Sequence, residues 1–164
     1  MKVREMMTKE VRGCWRDSSL AAAAQIMWAT DCGALPVLGD NDRVVGMITD
    51  RDISIAVAMT QRCPSEITVG EVMAKPVYTC RPDDHIKVAL NFMAAAQVRR
   101  LPVIDQSGAL QGILSISDIM GCCWRSAAAQ IPSISCHDLV EAMGRICEPR
   151  DVEDQRQAMV ADIA

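Results

Sequence analysis

Two stretches of the chain set a hydroxyl and a carboxylate three residues apart, behind a glycine and an apolar residue. They are Gly46-Met47-Ile48-Thr49-Asp50-Arg51-Asp52 and Gly112-Ile113-Leu114-Ser115-Ile116-Ser117-Asp118, and both fit G-h-x-[TS]-x-x-D with h apolar. At the end of a strand and the opening of a helix, the Thr49 or Ser115 hydroxyl stands beside unpaired backbone N–H groups and the positive end of the helix dipole, where an anion can be held. The carboxylate one turn further on can accept hydrogen bonds from both hydroxyls of a ribose. The same residues also fit a capping box, in which hydroxyl and carboxylate satisfy backbone donors and do nothing else.

A second chemical signal is Val98-Arg99-Arg100, directly before Leu101-Pro102. It sets two cations at a strand entrance that should neighbour the Ser115 turn, and arginine forks suit phosphate oxygens. The corresponding earlier residues are Gly33 and Ala34, so the charge is not a scaffold requirement and the two turns should differ. No catalytic constellation competes: His85 and His137 lack a nucleophile within their own motifs, which reads as no enzyme. Eight cysteines without a secretory signal read as reduced thiols, and Cys14 and Cys80 as strand-end packing. Cys122, Cys123, Cys136 and His137 offer ligand types, but adjacent cysteines rarely turn both sulfurs to one tetrahedral ion, so no metal is expected.

The elements that must position these residues follow from the whole chain. Its 164 residues are 50% hydrophobic and 23% charged, a composition that builds a folded core. A net charge of −4 with no basic run argues against a nucleic-acid partner. The uncharged apolar stretches fall short of the roughly 20 residues that cross a bilayer. Without a leader-like N-terminus the protein is expected in the cytoplasm.

Residues 3–53 align without gaps on residues 69–119, and sixteen pairs are identical. Leu35-Pro36-Val37 falls on Leu101-Pro102-Val103, Gly46 on Gly112, and Asp52-Ile53 on Asp118-Ile119. Two copies of one unit, each too small to bury its own apolar face, should pack about a pseudo-two-fold axis. Each copy reads as an opening turn (Val3 to Met7; Val69 to Met73), a short strand (Val11 to Cys14; Val77 to Cys80) and an aspartate-started helix. The helix of the first copy spans Ser18 to Thr30, with Leu20, Ala23, Ala24, Met27 and Trp28 as its core stripe; Ile86, Ala89, Leu90 and Met93 trace the second. Then come two strands joined by a tight turn (Ala34 to Leu38 and Arg43 to Thr49; Arg100 to Ile104 and Ala109 to Ser115) and a further helix. The fold class is α/β, β-α-β-β-α twice over, with divisions at 1–62, 63–130 and a helical extension at 131–164 that holds one helix from Ser135 to Cys147 and another ending at Ala164.

These phrases, in this order and spacing over roughly residues 1–125, resemble the paired cystathionine-β-synthase-type (CBS) domains whose tandem form is a Bateman module. The resemblance implies that the cleft between the repeats binds adenosine-containing ligands: AMP, ADP, ATP, S-adenosylmethionine, sometimes NAD. Carried over by motif position, it implies Asp118 for ribose, Ser115 and Ser117 with Arg99 and Arg100 for phosphate, and Val77, Tyr78 and Val98 along the adenine. A second, weaker cleft would use Asp52, Thr49 and Arg51, lined by Val11, Arg12 and Cys32, with Arg12 in the place of Tyr78. The sulfonium of S-adenosylmethionine suits two arginines least. The resemblance also implies a stand-alone regulatory module and a flat homodimer that acts on a separate protein. Two other classes stay open: a ligand-free structural or protein-interaction module, and a redox-responsive protein using its thiols.

Overall fold

A computed structural model describes residues 1–126 and 134–149. The helical stretch expected to end at Ala164 lies outside the described residues. In chain order the elements are β1 (Cys14–Trp15), α1 (Leu20–Ala29), β2 (Ala34–Leu38), β3 (Val44–Thr49), α2 (Asp50–Thr60), α3 (Val69–Val72), α4 (Ile86–Ala96), β4 (Arg100–Ile104), β5 (Leu110–Ser115), α5 (Ile116–Ser126) and α6 (Cys136–Cys147). β1 runs parallel to β2, and β2 pairs antiparallel with β3; β4 and β5 form the matching antiparallel pair.

Three expectations about these elements are corrected. The strand drawn from Val11 to Cys14 is only Cys14–Trp15, because the Val11 N–H bonds back to the Lys9 carbonyl instead of to a strand. Its counterpart shrinks to a single bridge between Cys80 and Val103, between Pro76 and Pro82, which have no N–H to donate. The helices do not start on aspartate: Ser19 Oγ accepts from the Ala22 N–H at 3.2 Å, and His85 Nδ1 accepts from the Lys87 N–H at 3.3 Å. Asp84 is spent on its own turn, accepting from the Arg81 N–H, and Asp83 on Lys2 and Arg4. Finally, Ala24 and Trp28 are exposed, Trp28 by 90%. Leu20, Ala23 and Met27 make the buried line of α1; each excluded residue sits one position, about 100°, further round.

The pseudo-two-fold axis can be read from isolated bridges. Lys2 pairs with His85 and Ser19 with Thr68; Thr8 pairs with Ile113 and Met47 with Ala74. Adding 66 to one member of each bridge and subtracting it from the other turns the first of each couple into the second. Arg43 pairs with Ala109, its own repeat equivalent, so the axis passes there.

The same bridges show that the repeats exchange their opening turns. Thr8 and Ile113 trade both backbone hydrogen bonds at 2.9 Å, while Val69 and Gly70 donate to the carbonyls of Ser18 and Arg16 at 2.8 Å. Val3 is therefore buried in a core with Ile86, Leu90, Met93, Leu101, Leu114 and Ile119. Ile67, Val69 and Met73 complete the other core with Leu20, Met27, Leu35, Val37 and Ile48. Burying these aliphatic side chains is the main stabilising term, about 1.5–3 kcal/mol each before the entropy of ordering the chain is set against it.

Candidate functional site

Each strand-to-helix junction is held by a reciprocal cap. At the second, the Ser115 N–H and Oγ donate to Asp118 Oδ2 at 2.8 and 2.6 Å, and the Asp118 N–H donates to Ser115 Oγ at 3.2 Å. At the first, the Thr49 N–H and Oγ1 donate to Asp52 Oδ2 at 2.9 and 2.7 Å, with the Asp52 N–H returning to Thr49 Oγ1 at 3.2 Å. All the carboxylate bonds of these caps fall on Oδ2. Among the described residues, Oδ1 of either aspartate takes no hydrogen bond.

Backbone pairing brings the arginines to this junction. Arg100 lies opposite Ser115 in the β4–β5 register, and the Ile116 N–H donates to the Arg99 carbonyl at 2.9 Å. In the first repeat Ala34 lies opposite Thr49, and the Asp50 N–H donates to the Gly33 carbonyl at 3.2 Å. The two junctions thus share a backbone and differ in charge: the second adds exposed Arg99 and Arg100 to the positive pole of α5. The Arg99 guanidinium reaches Cys147 Sγ on α6, at 4.0 Å. Ser117 is exposed in the first turn of α5, and Val98 is half-buried against the core.

The adenine-lining candidates stand on the segment before Cys80. Cys80, which ends that segment, is bridged in parallel to Val103 of β4. Val77 is half-buried, and Tyr78 rests edge-on against Phe92 with ring centroids 5.7 Å apart. At the equivalent places Val11 is half-buried and Arg12 exposed. Arg51 is exposed on the first turn of α2, and Cys32 lines a groove with Gly33 and Asp50, its thiol near Thr30 Oγ1 at 3.2 Å and the Ala34 carbonyl at 3.5 Å.

The thiols divide by environment. Burial pushes Cys14 up to about 11 and Cys80 up to about 12, so both stay protonated and inert at neutral pH. Exposed Cys63 is shifted the other way, chiefly by the hydrogen bond to the Ser65 side chain. Among the described residues no group of three or more His, Cys, Asp or Glu side chains is placed to hold a metal ion, and no helix is long and apolar enough to cross a membrane.

Two repeated α/β units, interleaved about a pseudo-two-fold axis and each ending its hairpin in a capped hydroxyl–carboxylate turn, define a tandem α/β scaffold. A family model described as CBS domain matches residues 3–58 and again residues 69–124; the chain belongs to the CBS-domain family and carries a tandem pair. It is 37% identical to hypoxic response protein 1 of Mycobacterium tuberculosis over 146 residues, covering 89% of this chain and 94% of that one. The crystal structure of hypoxic response protein I with two coordinated zinc ions has a TM-score of 0.68 at 39% identity, over 74% of this chain and 98% of that one. The CBS domain pair of protein MJ0100, solved in complex with 5′-methylthioadenosine and S-adenosyl-L-methionine, has a TM-score of 0.67 at 24% identity, over 74% and 98% of the two chains, a likeness of fold.

The contacts of α6 escaped the sequence reading. Ala142 and Ile146 are buried in the core of the second repeat, and Lys87 Nζ bonds Asp138 Oδ1 at 2.8 Å. The signal was present as Leu139, Ala142, Met143 and Ile146, an i, i+3, i+4, i+7 stripe, but a stripe does not name the surface it covers.

Proposed function

We propose that this chain is a regulatory module that binds an adenine nucleotide (AMP, ADP or ATP) at the second junction and acts, as a homodimer in the cytoplasm, on a separate protein, with no chemistry of its own. Asp118 holds the ribose, and Ser115, Ser117, Arg99 and Arg100 hold the phosphates. Val77, Tyr78 and Val98 line the base. The first junction, with Val11, Arg12, Cys32, Thr49, Arg51 and Asp52, is the weaker site. The observation that carries this reading is the register of Arg100 opposite Ser115: it aligns two cations, a helix N-terminus and the unpaired oxygen of Asp118 at one end of one hairpin. The ligands named for the MJ0100 pair are adenosyl compounds, which supports the base and sugar part of the assignment. Binding changes the output only by its differential affinity for two arrangements of the repeats.

Calorimetry of the full chain with AMP, ADP, ATP, S-adenosylmethionine and NAD tests this. The expected result is saturable binding of at least one phosphate-bearing nucleotide, weakened about tenfold or more by Arg100→Ala and by Asp118→Asn, each of which removes a charge-assisted hydrogen bond. Asn keeps an acceptor for the Ser115 cap. No binding to the wild type defeats the sensor reading, and unchanged affinity in both variants defeats the site. A second reading is favoured by the closed caps themselves: hydroxyl and carboxylate already satisfy one another at both junctions, as in a ligand-free interaction module.

A further inference from the structure

Helix α6 ends on the segment that carries the arginines. Its apolar stripe lies along α4, with Ala142 and Ile146 buried in the core that contains Met93, Ala94, Ile116 and Ile119. Lys87 pins its first turn through Asp138 at 2.8 Å. The last turn is held differently, by two side chains of the stretch that leads into β4. Gln97 Nε2 donates to the Arg145 carbonyl at 3.2 Å and to the Glu148 carbonyl at 3.3 Å, and Arg99 Nη2 reaches Cys147 Sγ at 4.0 Å. Here a helix leaves its final carbonyls without partners in the ladder, and its dipole is negative. Sixty-six residues before Gln97 and Arg99 stand Asp31 and Gly33. Neither has a donor side chain, so this hold on a helix end is particular to the second repeat and is not a requirement of the scaffold.

An anion at the second junction disturbs that end in two ways. Arg99 is turned to a thiol, a weak acceptor, whereas a phosphate oxygen takes the same guanidinium by a charge-assisted bond roughly twice as strong as a neutral one. The anion would also face, across one guanidinium, the carbonyl pole of α6, a pairing of like sign. Both effects run the same way: Arg99 moves toward the ligand and the last turn of α6 loses a hold. Gln97 lies two residues from Arg99 on the same stretch of chain, so a displacement there reaches the second hold too. The start of the helix is insulated from this. Nine residues separate Asp138 from Cys147, about 14 Å along the axis, and Lys87 and Asp138 pair without any group of the junction.

We infer that α6 is the output element of the second junction: a phosphate-bearing ligand draws Arg99 away from Cys147 and loosens the last turn of α6, while Lys87 and Asp138 keep its start in place. That role rests on the nucleotide proposed for the second junction and gives its binding a direction, since holding the phosphate and docking the helix end oppose one another. The test is amide exchange in the full chain, alone and with AMP, ADP, ATP or adenosine in turn, with calorimetry fixing the concentrations that saturate. A bound nucleotide should quicken exchange in the last turn of α6 about fivefold or more, without quickening it at Leu139 and Val140 or in β4 and β5. Adenosine, which has no phosphate, should leave the last turn as it is. Gln97→Asn keeps a residue that tolerates the φ of 50° at that position but draws the amide back, and should quicken the same amides with no ligand present. Saturable nucleotide binding with unchanged or slowed exchange at the end of α6 overturns the inference and leaves the nucleotide reading standing, as does equal quickening by adenosine or no effect of Gln97→Asn. No binding of any of the three nucleotides overturns both.

Discussion

Asp118 and Asp52 each spend one oxygen on a cap and keep the other, so the same side chain can hold its helix and still accept from a ligand. The glycines that open these turns are needed for a different reason, close approach. A Cβ on Gly112 would stand 2.5 Å from the Thr8 carbonyl oxygen, a backbone atom fixed by its hydrogen bond to Ile113. On Gly46 it would meet Met73 Sδ at 2.7 Å, on a flexible side chain that can swing away, and the Ala74 carbonyl only at 3.2 Å. Gly112→Ala is therefore predicted to cost about 1–3 kcal/mol, and Gly46→Ala clearly less. Urea denaturation of the two variants checks this, and equal midpoints would contradict it. The shared Gly46 and Gly112 were visible as an identity of the repeats, but the methionines above them were not, because Met7 and Met73 come from the exchanged opening turns.

Among the elements, α6 is tied to α4 by an ion pair as well as by its buried stripe. Asp138 is held well below the usual carboxylate range, first by the Lys87 side chain and then by the Ser135 N–H. A depressed folded value means that the stabilisation is present above the carboxyl's unfolded value near 3.8 and is lost as the pH falls below it. Amide exchange in α6 is predicted to quicken relative to β4 and β5 as the pH falls from about 4 to about 2, and Lys87→Ala should weaken this acid dependence. Acid-insensitive exchange in α6 would count against the pair. The elements themselves were largely legible: Leu-Pro-Val twice at one spacing set both central strands, and Ser135 with Asp138 gives a cap that starts α6 one residue after it. What one sequence cannot show is which surface an amphipathic stripe meets. The spacing of Trp28 fits the core stripe of α1, yet its side chain is exposed, one position round from the buried Met27. The junction residues were legible as a motif, whereas the lean of Arg99 toward Cys147 depends on a helix some fifty positions away, with no local signature.

At the scale of the whole molecule the exchanged turns tie two small cores into one cooperative unit. Neither repeat can keep its core if the other lets go of its opening segment, since Val3 is fully buried in the second core and Val69 in the first. A ligand at the second junction would for the same reason stabilise both repeats, by RT ln(1 + [L]/Kd). Deleting two methyl groups at either anchor should remove about 2 kcal/mol, which for a chain of this size lowers Tm by roughly 4–8 °C. Val3→Ala and Val69→Ala are therefore each predicted to shift a single calorimetric transition by similar amounts, although each residue opens one repeat and is buried in the core of the other. Two independently folding repeats would behave differently: Val69→Ala would split the transition, leaving the core around Leu90 and Leu114 melting at its original temperature, and that outcome would rule out the coupling on which any signal between the two junctions depends.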